Sequence, residues 1–211
     1  NSFSYCNDLP GMVQKIASTQ KMKISCTRFL KGGERFSGHL KNKKLLQAIA
    51  DGGWDYVVLQ EQSTAPAMPT GQVAREVYPA ARTLDSLVHA ASPDARVIFY
   101  MTWGHDIDTY AEMQQRLAES YLEMTAQLNA WCAPVGIAWK RVRTENPSIT
   151  LYNNDHSHPS QQGSYLVANV FCSVFFQKPY TGTYYAELPE EEALYLQRIA
   201  QETVFSNPSL W

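Results

Sequence analysis

Short apolar runs separated by longer helical patterns constrain the fold of this chain most strongly. Residues 56–59 and 96–101 are two such runs, each bounded by turn residues. A run of this kind is typical of a strand buried in a parallel sheet, because the helices that connect parallel strands cover both faces of the sheet. The sequence therefore predicts an α/β fold with a central, mostly parallel sheet.

Periodicity and turn residues predict the other elements. Helical spacing of apolar residues predicts helices over residues 9–17, 43–50 and 73–91 (interrupted at Pro79), after Asp108 and after Gly163. Two further short strands are expected over residues 22–29 and 135–138. The length of 211 residues suits one domain, with residues 179–211 as a C-terminal loop and helix packed on it.

Polar residues follow the predicted strands, at the edge where parallel sheets bind ligands. Gln60, Glu61 and Gln62 come directly after one apolar run, and Trp103 follows the other. Ligands of such sheets lie outside the carboxyl ends of the strands. Because three polar side chains would be costly in a core without partners, we expect them to face a pocket or a hydrogen-bond network.

An Asp–His pair and an N-terminal serine make a candidate catalytic set. Asp155 precedes His158 by three residues, in a loop that ends at Pro159. A carboxylate at this spacing can hold one imidazole nitrogen and leave the other free to act as a base. Such a base needs a nucleophile, and Ser2 is available at the other end of the chain. Taken alone, Ser2 could simply cap the first helix.

Five sequence blocks, in this order, resemble those of the SGNH (GDSL-type) esterases and lipases. The blocks are Asn-Ser-Phe-Ser at residues 1–4, Gly32-Gly33 with His39, residues 54–63, Thr102-Trp103, and Asp-x-x-His-Pro-Ser at residues 155–160. The likeness is strongest to an uncharacterised bacterial branch whose first block is Gly-Asn-Ser-Phe-Ser, and it extends to about residue 177.

The resemblance implies a three-layer α/β/α sandwich, the flavodoxin-like SGNH-hydrolase fold. It also implies a serine esterase in which Ser2 is the nucleophile, His158 the base and Asp155 the residue that orients the base. The substrate would be a small-molecule ester, with an O-acetyl group on a carbohydrate as the favoured form. The family further suggests a bacterial periplasmic or secreted protein, if a signal peptide has been removed.

The same resemblance assigns the remaining site residues. The oxyanion hole would use the main-chain N–H groups of Ser2 and Gly33, together with the side chain of Gln60 or Gln62. Substrate contacts are expected from three residues, Trp103, Glu61 and His39. For Trp103 a second interpretation stays equally open, namely a half-buried ring that plugs the edge of the layer. For His39 the commoner role of a lone loop histidine, hydrogen bonding to backbone, stays open.

The chain departs from the family pattern in two places. In the family a hydrophobic first strand and a glycine precede the serine, whereas this sequence starts at Asn1. Either the sequence is clipped or the strand is absent, and both interpretations stay open. The family's third block supplies an asparagine side chain to the oxyanion hole, whereas Gln60, Glu61 and Gln62 follow the strand here.

Composition argues against several other classes of protein. The formal net charge is -2, with no long basic run, so a nucleic-acid partner is not expected. No apolar stretch approaches the length of a membrane span. A cofactor is not expected either, because there is no G-x-G-x-x-G sequence or P-loop. The four widely spaced cysteines are expected to be free thiols.

Two alternatives to the esterase stay open. Asp155, His156 and His158 could be ligands in a metal-assisted hydrolase, although adjacent positions rarely converge on one ion without a further ligand. The chain could also be a non-catalytic binding module on the same fold, because fold does not imply activity.

Overall fold

The computed structural model describes residues 1–211 and consists of ten α-helices around a three-stranded sheet. The strands are β1 (Tyr56–Leu59), β2 (Arg96–Tyr100) and β3 (Trp131–Ala133). The helices are α1 (Ser2–Tyr5), α2 (Leu9–Thr19), α3 (Phe36–His39), α4 (Lys43–Asp51), α5 (Thr70–Glu76), α6 (Tyr78–Ala91), α7 (Tyr110–Leu128), α8 (Val135–Glu145), α9 (Gln161–Phe176) and α10 (Glu190–Ser206).

All three strands are parallel, in the order β1-β2-β3. Central strand β2 is buried on both faces because its apolar run has no polar alternation. Val97 and Phe99 belong to the core on one face of the sheet, and Ile98 and Tyr100 to the core on the other. The predicted α/β fold with a parallel sheet is confirmed.

The helices form a layer on each side of this sheet. One core lies between the sheet and α2, α8, α9 and α10, and the other lies between the sheet and α4–α7. Helix α9 is buried over nearly its whole length, because α2 packs on one side of it and α10 on another. No helix combines the length and the apolar composition needed to cross a lipid bilayer.

The prediction of a strand over residues 135–138 is wrong. These residues begin helix α8, and the strand lies earlier, at Trp131–Ala133. Apolar residues at helical spacing run from Leu117 to Trp131 in the sequence, but Asn129 takes a left-handed conformation that ends α7 two residues before Trp131. Pro134 then leads directly from β3 into α8.

The prediction of a strand over residues 22–29 is also wrong. No main-chain hydrogen bond joins this segment to the sheet, and Cys26, which lies within it, is exposed. The outer edge of β1 likewise lacks a partner strand, and Tyr56 and Val58 are 39% and 41% exposed. A strand forms only when a neighbour takes its hydrogen bonds, so strand-like sequence was insufficient here.

The open edge of β1 predicts a tendency to self-associate, because unpaired edges recruit other strands. We expect Val58→Lys to slow aggregation at high protein concentration, since an edge lysine would have to be desolvated on pairing. Leu87→Lys is the matched control, because Leu87 is 39% exposed but lies on helix α6. Light scattering over time measures the effect, and equal aggregation rates for the two variants would contradict the prediction.

Candidate active site

The carboxyl ends of β1 and β2 carry the polar groups that meet the N-terminal helix. Gln60 and Glu61 follow β1 directly and are both buried. Asn1 contacts both of them: its main-chain nitrogen donates to Gln60 Oε1 at 3.0 Å, and its Nδ2 donates to the Glu61 carbonyl at 3.1 Å. These bonds hold the one-turn helix α1, which begins at Ser2, against this edge of the sheet.

Ser2, His158 and Asp155 are joined by two hydrogen bonds. The Ser2 hydroxyl lies 2.9 Å from His158 Nε2, and His158 Nδ1 lies 2.6 Å from Asp155 Oδ2. With the ring proton on Nδ1, the imidazole donates to the carboxylate and accepts from the hydroxyl. The side chains of Asp155 and His158 are 51% and 36% exposed, so the group opens to solvent.

The loop that carries Asp155 and His158 is a short closed turn. Tyr152 and Pro159 form a bridge at its base, and the His158 carbonyl accepts from the Asn153 N–H at 2.8 Å. Asp155 Oδ1 accepts from the N–H groups of His158 at 2.9 Å and Ser157 at 3.0 Å. Partial burial raises the pKa of Asp155, but these bonds and the imidazole outweigh it and lower that pKa to about 2.

Trp103 supports this loop from beneath. Its ring stacks between Phe3 at 4.4 Å and Trp139 at 3.9 Å, and its Nε1 donates to the Ser157 carbonyl at 3.1 Å. Phe3 in turn meets the His158 ring edge to face at 5.5 Å. Trp103 is 0% exposed, which argues against contact with substrate and favours the other expectation, a ring at the edge of the layer. Its ring fills the layer below the site instead.

Asn7 ties the nucleophile segment to the histidine loop, and the sequence did not reveal this role. Its Nδ2 donates to the carbonyls of Pro159 at 3.1 Å and Ser160 at 3.0 Å, and to Ser164 Oγ at 2.8 Å. Asn7 has φ of 53° between α1 and α2, a conformation that asparagine tolerates better than most residues. The tolerance of asparagine for a positive φ was the one sequence feature that could have indicated this role of Asn7.

Gln60 is occupied by contacts with the N-terminal segment. Its Oε1 accepts from Ser4 Oγ at 2.6 Å and from the Asn1 main-chain nitrogen, and its Nε2 donates to Asn1 Oδ1. With both ends of its amide used in this way, Gln60 fixes the position of α1. Gln60 is 6% exposed and its amide group binds the N-terminal segment through both its oxygen and its nitrogen.

Gln62 has a different arrangement that leaves its amide nitrogen nearly free. Its Oε1 accepts from the Thr64 N–H and hydroxyl and from the Ala65 N–H, all at 2.9 Å. Its Nε2 makes only a 3.5 Å contact to Ser63 Oγ. The three bonds to the oxygen fix the amide plane, so an oriented N–H group is available. Of the two glutamines, Gln62 is the one whose amide nitrogen has only this weak contact.

Gly33 has the backbone conformation expected of a donor that faces open space. Its φ is +66°, and a Cβ placed on it would meet no atom within 4 Å. A Cβ on the neighbouring Gly32 would lie 3.0 Å from the Tyr5 hydroxyl, so this loop runs beside α1. Main-chain partners are absent for the Gly33 N–H, and α1 begins at Ser2, whose N–H has no helical acceptor.

Glu61 is buried and does not reach solvent, so the expectation that it contacts substrate is wrong. It is 1% exposed, and its carboxylate accepts from the N–H groups of Gln62 at 2.7 Å and Phe36 at 3.2 Å. No lysine or arginine forms an ion pair with it. Burial raises the pKa of Glu61 to about 7, although both N–H groups act in the opposite direction.

His39 ends helix α3 and is half-buried, and its expected contact with substrate stays a prediction. Burial lowers the pKa of its imidazole. His156 turns away from the triad, because φ of 60° directs its Nδ1 to Asp106 at 3.2 Å. No cluster of three or more His, Cys, Asp and Glu side chains is arranged to hold a metal ion.

The Glu61 carboxyl should make folding stability depend on pH. Between about pH 4.5 and pH 7 the unfolded chain has released this proton while the folded chain keeps it, so the free energy of unfolding falls as pH rises. The effect is roughly 3 kcal/mol, at about 1.4 kcal/mol per pH unit. The measurement is urea denaturation of wild type and Glu61→Gln across this range. As pH rises, the free energy of unfolding of wild type should fall relative to that of the variant. A constant difference would contradict the prediction.

The known proteins that resemble this chain are found among solved structures. No family model and no curated protein matches the chain. Among solved structures, a protein described as "a putative SGNH hydrolase from Slackia heliotrinireducens" is 27% identical, with TM-score 0.68, over 83% of this chain and 95% of that one. A DUF4886 family protein from Bacteroides uniformis shares the fold at 13% identity, with TM-score 0.70, over 92% and 89% of the two chains. The similarity to the first of these structures is consistent with the resemblance of the sequence blocks to the SGNH-type hydrolases.

Proposed function

We propose that the chain is a serine esterase that transfers a small acyl group to water through an acyl-enzyme. The observation that carries the proposal is the pair of hydrogen bonds from Ser2 Oγ to His158 Nε2 and from His158 Nδ1 to Asp155 Oδ2, at 2.9 Å and 2.6 Å. A hydroxyl, a base and an orienting carboxylate at these distances are the parts that an activated serine requires. The likeness to an SGNH-type structure supports a hydrolase of this fold.

Acylation begins when His158 Nε2 accepts the Ser2 hydroxyl proton and Oγ attacks the ester carbonyl carbon. The C–O double bond opens into a tetrahedral oxyanion. His158 then donates the proton to the alcohol oxygen, whose bond to the acyl carbon breaks. The ionised Asp155, with its pKa near 2, stabilises the imidazolium that forms between the two transfers.

Deacylation repeats the same proton transfers with water as the nucleophile. His158 removes a proton from water as the water oxygen attacks the acyl carbon. When the second tetrahedral intermediate collapses, His158 returns that proton to Ser2 Oγ and the carboxylic acid leaves. The open exposure of the His158 side chain provides the access that water needs.

Three N–H groups would stabilise the oxyanion, namely the main-chain groups of Ser2 and Gly33 and the Nε2 of Gln62. Each lacks a strong partner within the protein. Preorganised donors of this kind are the largest single contribution in many acyl-transfer enzymes. Gln60 is left out of the hole, because both ends of its amide are bound to the N-terminal segment.

We propose that the substrates are small acyl esters of bulky alcohols, with O-acetyl groups on carbohydrates as the favoured example. The triad is open to solvent, which suits an alcohol larger than the site itself. Tyr5 lies three residues after Ser2 and is 45% exposed. Its ring offers a face on which a sugar can stack, the role that buried Trp103 does not fill.

The first test is turnover of p-nitrophenyl acetate by variants of the triad. Ser2→Ala and His158→Ala should each lower kcat by about 10³-fold or more, because the nucleophile or its base is gone. Asp155→Asn should lower kcat by roughly 10²–10⁴-fold, since the imidazole loses its orienting charge. Circular dichroism checks that each variant is folded.

Retention of full turnover by folded Ser2→Ala would rule out this mechanism. Loss of wild-type turnover after treatment with a chelator would instead favour metal-assisted hydrolysis. Ligand binding without any turnover by a longer chain that includes residues before Asn1 would favour a binding module.

The two glutamines should respond differently to replacement by glutamate. Gln62→Glu keeps the side-chain oxygen that accepts from Thr64 and Ala65 but removes the free donor, so kcat should fall roughly 10²–10³-fold with the melting temperature little changed. Gln60→Glu removes the hydrogen bond that Gln60 donates to Asn1, so it should lower the melting temperature in addition to any effect on kcat. Kinetics with p-nitrophenyl acetate and thermal melts separate the cases, and the reverse pattern would assign the hole to Gln60.

A further inference from the structure

Glu61 contacts each of the three segments that carry the proposed oxyanion donors. Its carbonyl accepts from Asn1, the residue before Ser2. Its carboxylate accepts from Phe36, three residues after Gly33, and from Gln62 itself. No other residue has hydrogen bonds to all three of these segments; the Glu61 side chain makes those to Phe36 and Gln62, and its main chain makes the one to Asn1.

The Glu61 carboxylate also caps the first turn of α3, which has no side-chain cap of its own. Arg35 precedes this helix and makes no side-chain cap, so the Phe36 N–H has no local acceptor. Both Glu61 oxygens face that N–H, at 3.2 Å and 3.3 Å. The loop from Gly33 to Phe36 is thereby fixed at one end to the segment that follows β1.

A buried carboxylate without an ion pair is a costly way to fill a core, because desolvation disfavours the charge. The charged and titratable groups that face Glu61 are few: Arg35 on the α3 loop, the Asn1 main-chain nitrogen on the N-terminal side, and Tyr121 on α7, whose hydroxyl accepts from the Glu61 N–H at 3.3 Å. None of them forms a salt bridge with the carboxylate. If the side chain only filled the core, an apolar residue would do so at lower cost. The Phe36 and Gln62 N–H groups instead require an acceptor, and the carboxylate supplies it.

We propose that the side chain of Glu61 is a positioning group that holds the Gly33 and Gln62 donors in a single arrangement, while its main-chain carbonyl binds Asn1 beside Ser2. The proposal rests on the proposed esterase function. Glu61 itself does not contact substrate, because it is 1% exposed. Its effect is on the transition state, where the donors bind the oxyanion, rather than on ground-state binding.

The test compares Glu61→Ala with Glu61→Gln. Alanine removes both acceptors, so kcat for p-nitrophenyl acetate should fall roughly 10²-fold, as expected for small displacements of catalytic groups, while KM changes less than about threefold. Glutamine can present its oxygen to both N–H groups, since Glu61 Oε1 alone contacts Gln62 and Phe36. It should therefore retain kcat within about threefold. Glu112→Gln, an exposed carboxylate on α7, controls for loss of charge.

Hydrogen exchange gives a second measurement that does not depend on turnover. In Glu61→Ala the segments around residues 33–39 and 60–65 should exchange faster, and in Glu61→Gln they should match wild type. Unchanged exchange in Glu61→Ala, unchanged kcat in Glu61→Ala, or an equal loss of kcat in both variants would each overturn the proposal. A wild-type protein without turnover, but with the expected exchange pattern, would contradict the esterase function and leave the bracing by Glu61 in place.

Discussion

The hydrogen bond between Ser2 Oγ and His158 Nε2 joins two parts of the chain that are 156 residues apart. Much of the surrounding structure serves to hold these two atoms together. Asn7 ties the N-terminal segment to the end of the histidine loop, and the stacked rings of Phe3 and Trp103 lie beneath both partners. The distance between Ser2 Oγ and His158 Nε2 is set by contacts between distant segments, because α1 is a single turn and the loop of residues 153–158 is short.

The polar edge of the sheet provides the second half of the site. Directly after β1, Gln60 binds the N-terminal segment, Glu61 braces the Gly33 loop, and Gln62 keeps an amide N–H unused. Three consecutive polar residues thus have three different partners. This explains how they can lie at the end of a buried strand, where unpaired polar groups would cost roughly 1–3 kcal/mol each.

The sequence predicted the α/β class, a parallel sheet that contains β1 and β2, and most helices, because these follow from local periodicity. It also selected Ser2, Asp155 and His158, which the structure brings within hydrogen-bond distance. Periodicity does not report what packs above a residue, so the burial of Trp103 and Glu61 was missed. The choice between Gln60 and Gln62 likewise depended on Asn1 and Ser4, which are distant in sequence. Residues 22–29 do not form a strand because no neighbouring strand takes their main-chain hydrogen bonds.

The central claim is that His158 activates Ser2 as a nucleophile, and covalent labelling tests it most directly. Intact mass would be measured after incubation with a fluorophosphonate, on wild type and on Ser2→Ala, with Ser4→Ala as a matched control in the same helix. The account predicts one adduct on wild type and on Ser4→Ala, and none on Ser2→Ala. An adduct that persists in Ser2→Ala, or the absence of an adduct on the folded wild-type protein, would contradict it.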